Sequence, residues 1–213
     1  MVRVISLSAL NKSAIIDIRI MQTIAWDIDD VLNELMQSWL EQSWLPSYPE
    51  CSLRYEDILE NPPHQLLGVS LKQYLTSLDA FRLSGAVAKL PPVSEVLAWF
   101  HQYGKQFRHI TLTAAPICAV PISAAWVMQH FGTWVRSFNF VPSKRQGEYI
   151  PVYDQSKDDF LRWWSKVDIL VDDSPINVEA AKALGIQAIL MPRPWNQSQL
   201  TITETISFLT KLA

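Results

Sequence analysis

Apolar residues in this chain come in short continuous blocks that end abruptly in polar ones. Residues 23–26 run into Asp27, 109–112 into Thr113, 168–171 into Asp172 and Asp173, and 187–191 into Pro192. Short, largely apolar segments bounded by polar residues predict strands. A fifth strand candidate covers 137–141. Helical stretches lie between the runs and carry stop signals. Residues 94–103 follow Pro91-Pro92 and stop at Gly104, 123–131 stop at Gly132, and 177–184 stop at Gly185. Strands alternating with helices predict an α/β fold with a Rossmann-like, mostly parallel sheet and helices on both faces. Ligands of such sheets bind beyond the carboxyl ends of the strands. The polar residues that end the blocks are therefore where chemistry is expected.

The rhythm breaks over residues 31–84. Helices are predicted at 32–44, 55–60 and 71–80, with Ser70 as an N-cap and no strand among them. This stretch reads as a small helical cap inserted after the first strand, leaving 1–30 and 85–213 as the α/β core. Residues 1–20 admit two readings: an extension ahead of Met21, or an added edge strand over the isoleucine-rich 14–20.

Composition narrows the class. Hydrophobic residues make up 49% and charged residues 18% of 213, which excludes a disordered chain. Eighteen basic against 21 acidic residues give a net charge of -3, so no duplex nucleic acid is expected as a partner. Cys51 and Cys118 form neither a disulfide framework nor a metal-binding group. The apolar run after Arg3 is cut short by Asn11 and Lys12, and no run reaches the roughly 18–20 residues that span a bilayer. A cytoplasmic protein with no membrane partner is expected. Oligomeric state is not legible. Six glycines form neither G-x-G-x-x-G nor a P-loop, which disfavours a dinucleotide-binding module.

The candidate chemistry sits at the strand ends. W-D-I-D-D-V-L-N places Asp27 and Asp29 two apart; with 12 aspartates in the chain such a triplet needs its strand-to-helix context to mean anything. I-T-L-T-A-A-P presents the Thr113 hydroxyl and the backbone N–H groups beyond it. I-L-V-D-D-S-P puts two adjacent carboxylates, Asp172 and Asp173, at a buried edge. Their repulsion and desolvation call for a cation, although capping of the following helix by Asp173 or Ser174 is the plainer use. Lys157 opens the helix before that strand and is the candidate counter-charge, with Lys144 in P-S-K-R as its rival.

The order Asp-x-Asp, Thr, Lys, Asp-Asp, with spacings of 86, 44 and 15 residues, resembles the haloacid dehalogenase (HAD) superfamily with a helical cap. A narrower resemblance, from Thr23 to about Asn196, is to the 5′(3′)-deoxyribonucleotidases. It is carried by T-A-A-P through A-A-W-V-M-Q-H-F-G and by I-L-V-D-D-S-P. Asp30 stands where that family usually has glycine, and Ala114 replaces a common serine.

The resemblance implies a Mg²⁺-dependent phosphomonoesterase working through an aspartyl-phosphate. Asp27 would be the nucleophile and a metal ligand. Asp29 would be the acid and base, with its carbonyl on the metal. Asp172 would be the stronger further ligand, with Asp173 binding directly or through water. Thr113, the Ala114 N–H and Lys157 would hold the phosphate. A small phosphorylated substrate is implied, with deoxynucleoside monophosphates the best single guess. Another phosphorylated metabolite, or a non-catalytic ligand-binding role, is the alternative. Trp39, Trp44 and Phe81 are candidate stacking partners for a base, although aromatics at helical spacing usually form core. Trp195 either lies near the active edge or closes the fold, Arg193 meets an anion or solvent, and the four histidines read as surface or packing residues.

Overall fold

The computed structural model describes residues 21–212, so both readings of residues 1–20 lie outside it. Five strands form one sheet in the order β3-β2-β1-β4-β5: β1 (Thr23–Trp26), β2 (Arg108–Ala115), β3 (Val135–Pro142), β4 (Ile169–Asp172) and β5 (Gln187–Leu190). Every neighbouring pair is parallel. All five expected strands are present. The chain steps outward from β1 through β2 to β3, then returns to lay β4 on the other side of β1. The strand order therefore reverses between β1 and β4, and the crevice beyond their carboxyl ends is where such sheets bind ligands.

Between β1 and β2 the chain is helical. α1 (Leu35–Trp39) widens into a π-helical turn over Leu40–Trp44 and closes as α2 (Leu45–Ser47); α3 (Leu71–Leu83) follows. Ser70 caps α3 by accepting from Gln73 N at 3.2 Å, as expected. The apolar side chains of this stretch bury one another, with Trp39, Trp44, Tyr74, Leu78 and Phe81 at the centre.

The helices that follow are α4 (Ser94–Tyr103), α5 (Val120–Phe131), α6 (Lys157–Trp163), α7 (Pro175–Ala183) and α8 (Ile202–Thr210). Gly185, at φ 79°, makes the left-handed exit that ends α7. Side-chain parity along the strands sorts the core into two layers. Ile24, Trp26, Ile169 and Val171 pack with residues of α4, α5 and α8. Ala25, Ile110, Leu112 and Leu170 pack with Phe160 and Leu161 of α6 and Ala181 of α7. Asp27, two residues beyond Ala25, and Asp172, two beyond Leu170, continue onto the α6 side.

The first layer is centred on aromatic rings. Phe100 lies 4.9 Å from Trp26, 4.6 Å from His109 and 5.0 Å from Phe131. His109 is fully enclosed as a packing residue. Its Nδ1 accepts from Trp26 Nε1 at 3.0 Å, so its proton sits on Nε2, which donates to the Gly104 carbonyl at 2.7 Å. Burial pushes its pKa down to about 4, against the partial support of that carbonyl.

Truncating Phe100 to alanine opens a cavity at the ring junction and costs about 3–5 kcal/mol, read as a lower urea midpoint. His109 must stay neutral to fold, and in the unfolded chain it titrates near 6.5. Its contribution is therefore complete above that pH and declines as pH falls towards 4. We expect wild type to lose roughly 2 kcal/mol more between pH 7 and pH 5 than a His109→Gln variant, measured by urea titration at each pH.

Candidate active site

The carboxyl ends of β1 and β4 bring Asp27 and Asp172 together. The Asp27 backbone N–H donates to the Val171 carbonyl at 2.9 Å, carrying the β1–β4 pairing to the edge of the sheet. Both carboxylates meet Lys157, the first residue of α6: its Nζ lies 2.8 Å from Asp27 Oδ2 and 2.7 Å from Asp172 Oδ2. Lysine at a helix N-terminus opposes the helix dipole, so these carboxylates and not the helix account for its placement. Lys144 is exposed and does not line the cleft over these carboxylates, whereas Lys157 does.

Asp172 is fully enclosed. Its Oδ1 accepts from Ser174 N at 2.9 Å and Asn177 Nδ2 at 3.0 Å. Neither Asp173 nor Ser174 makes a side-chain cap on α7; Asp172 instead braces the turn that leads into it. Asp173 accepts from Trp195 Nε1 at 2.8 Å. Asp27, Asp172 and Asp173 each offer an oxygen within 4.8 Å of the others, and all three are buried.

One ammonium cannot neutralise three carboxylates at this depth. Burial, aided by Asp172 and Asp173, pushes the Asp27 pKa up to about 8 despite Lys157. Burial and Asp172 likewise push Asp173 to about 7. Burial alone would discharge Lys157, but Asp172 and Asp27 outweigh it and hold the lysine above its ordinary range. The cluster is thus short of positive charge while its cation stays charged. Its donors are all carboxylate oxygens, the ligands that hard divalent cations take. A divalent metal fits these residues.

The chain turns sharply after β1. Asp30 has φ 61°, in the left-handed region that favours glycine, which accounts for the glycine usual there in the family this motif resembles. Aspartate tolerates that conformation and here gains by it: its Oδ1 accepts from Met36 N at 3.0 Å at the start of α1. Burial raises the Asp30 pKa to about 7, with Arg193 opposing.

A cleft of about 280 Å³ opens over these strand ends. Asp27, Asp29, Thr113, Ala114, Lys157 and Asp173 line it from the sheet. Asp172 sits behind. Met36, Tyr74, Leu75, Leu78 and Arg82 close it from the helical stretch, and Ser143 and Arg145 from the loop after β3.

Of the two uses open to the aromatics, core packing is the one found. Trp39, Trp44 and Phe81 are buried in the core of the helical stretch, and none of them lines the cleft. Arg193 is buried away from solvent: its Nε donates to the Asp30 carbonyl at 2.6 Å and its Nη1 lies 3.8 Å from the Glu34 carboxylate.

Two arginines escape the sequence reading. Arg82 Nη2 pairs with Asp29 Oδ2 at 2.9 Å, and its Nη1 lies 3.2 Å from Asp79. Arg145 Nη2 reaches the same Asp79 at 2.9 Å. Asp79 and Arg82, one turn apart on α3, thereby fasten that helix to the loops after β1 and β3. Near the end of α3, Arg82 reads in sequence as an ordinary favourable charge at a helix C-terminus, with nothing to mark it as lining a site.

No family model and no curated protein matches the sequence. Solved structures do match in shape. A haloacid dehalogenase-like family hydrolase from Streptococcus pneumoniae superposes with a TM-score of 0.61 at 8% identity, over 91% of this chain and 99% of its own. Protein Tyrosine Kinase A from Mycobacterium tuberculosis gives 0.57 at 14% identity, over 90% and 97%. An L-2-haloacid dehalogenase gives 0.51 at 17% identity, over 91% and 100%. At these identities the likeness is one of shape, and it extends over nearly the whole chain. The chain has the haloacid dehalogenase-like α/β fold.

Proposed function

We propose that this protein is a Mg²⁺-dependent phosphomonoesterase that forms an aspartyl-phosphate on Asp27. The observation that carries the reading is the meeting of Asp27, Asp172 and Asp173 around a single buried ammonium at the strand-order reversal. A halide leaves without taking a proton. Cleaving a phosphomonoester needs a proton for the leaving oxygen and positive charge beside the phosphoryl oxygens, and a carboxylate-rich centre with one lysine suits it.

Asp27 attacks phosphorus, and the bond from phosphorus to the leaving oxygen breaks. Asp29 gives that oxygen its proton, then takes one from the water that hydrolyses the phospho-aspartate, which releases phosphate and restores Asp27. Thr113 and the Ala114 N–H hold phosphate oxygens, and Lys157 supplies fixed positive charge beside the nucleophile. Asp27, Asp172, Asp173 and the Asp29 carbonyl would hold Mg²⁺, which supplies the charge that lets a carboxylate approach a phosphate. Burial disfavours the charged form of Asp27, and a divalent cation held there would favour the carboxylate that attacks.

Residues 31–84 act in this reading as a cap that excludes water and shapes the leaving-group side. A small phosphorylated metabolite fits a cleft of about 280 Å³, and a deoxynucleoside monophosphate is our first choice. That choice rests on the sequence motifs shared with the deoxyribonucleotidases. With the three buried aromatics excluded, Tyr74, Leu75 and Leu78 are the surfaces a base would meet. A phosphate-release screen over deoxynucleotides, sugar phosphates and phosphoserine decides the substrate. A folded protein inert to all of them with Mg²⁺ present is a binding protein instead.

Asp27→Asn keeps the shape of the side chain, so the variant should fold and lose turnover of p-nitrophenyl phosphate by at least a thousandfold; retained activity removes Asp27 as the nucleophile. Mg²⁺ at about 100 times its dissociation constant should stabilise the wild type by about 2.7 kcal/mol, several degrees in Tm, relative to protein in EDTA. An Asp27→Asn/Asp173→Asn double variant should show little of that shift in a thermal melt.

A further inference from the structure

The turn after β5 has no task in the chemistry above, yet it touches both loops that carry it. Besides the bond from Arg193 to the Asp30 carbonyl, Asn196 Nδ2 donates to the Asp173 carbonyl at 2.8 Å. Between them Trp195 donates its indole N–H to the Asp173 carboxylate, also at 2.8 Å. The indole ring belongs to the core of the helical stretch and meets Tyr55 edge-on at 6.1 Å. One side chain thus belongs to the packing of that stretch and to the carboxylate cluster at once.

A buried tryptophan can satisfy its N–H on any carbonyl, as Trp126 does on Leu90 O at 2.8 Å. Trp195 instead directs it at a carboxylate already crowded by Asp172. A hydrogen bond to one carboxylate oxygen fixes the plane of the group, and so fixes where its other oxygen is presented. We infer that Trp195 is a positioning residue for the divalent ion: its indole N–H orients Asp173 as a ligand, and its ring ties that orientation to the packing of residues 31–84. The inference rests on the metal-centre reading above. Groups that orient metal ligands in this way typically change metal affinity 10–100-fold when removed.

Trp195→Phe deletes the N–H and keeps an aromatic ring. Mn²⁺ binding is measured directly by electron paramagnetic resonance on wild type and variant, alongside the Tm of both proteins in EDTA. The expected result is a 10–100-fold higher Mn²⁺ dissociation constant in the variant. A dissociation constant within twofold of wild type, with only the metal-free Tm lowered, makes Trp195 merely structural and overturns the inference. Wild type that binds no Mn²⁺ overturns the metal centre itself, a distinguishable failure. Should the variant not fold, ¹⁵N-tryptophan spectra of the wild type take its place. One indole N–H resonance should move on adding Mg²⁺, and a spectrum in which none moves overturns the proposal.

Discussion

A buried ammonium between two carboxylates sets the terms for the rest of this molecule. Taking Lys157, Asp27 and Asp172 out of water together costs several kcal/mol per ion, and only close mutual contact offsets it. The distances of 2.8 and 2.7 Å meet that demand, but Asp173 adds a third negative group that the lysine cannot balance. The arrangement is stable as a fold and incomplete as a charge set. A divalent cation would supply the charge that this set lacks.

The fold delivers this centre through two simple regularities. Parity along the strands turns Asp27 and Asp172 to the side covered by α6, where Lys157 waits at the first turn. The reversal of strand order between β1 and β4 leaves a crevice above them that no connecting helix fills. The helical stretch after β1 then closes the crevice, fastened through α3 by Asp79 and Arg82. Fold, charge and access are set by different parts of the chain, and only the first two lie in the sheet.

What was legible in the sequence follows the same division. Apolar blocks ending in Asp27, Thr113 and Asp172 are local patterns, and they located the strands and the residues at their tips. α4 was found to the residue because Pro91-Pro92 and Gly104 bracket it. α8 went unread although Thr201 and Glu204 form a capping box, with the Thr201 N–H donating to Glu204 at 2.8 Å; that signal was present and unused. The partners of the site residues were not legible. Arg82 with Asp29, and Trp195 with Asp173, are contacts across 53 and 22 residues that no local periodicity encodes. The same limit left two uses open for the aromatics. Helical spacing shows that Trp39, Trp44 and Phe81 share a buried face, but not whether that face meets a ligand or other side chains.

The pairing of β1 with β4 also bears on how the protein is made. β1 lies near the start of the sheet sequence, yet its neighbour arrives about 145 residues later, as the bond from Thr23 N to Asp168 records. At roughly 5–20 residues per second, the ribosome takes on the order of 7–30 s to supply it. Throughout that interval Asp27 has no lysine and β1 has one open edge. Until β4 has emerged, the nascent chain lacks the cluster in which Lys157 meets both Asp27 and Asp172.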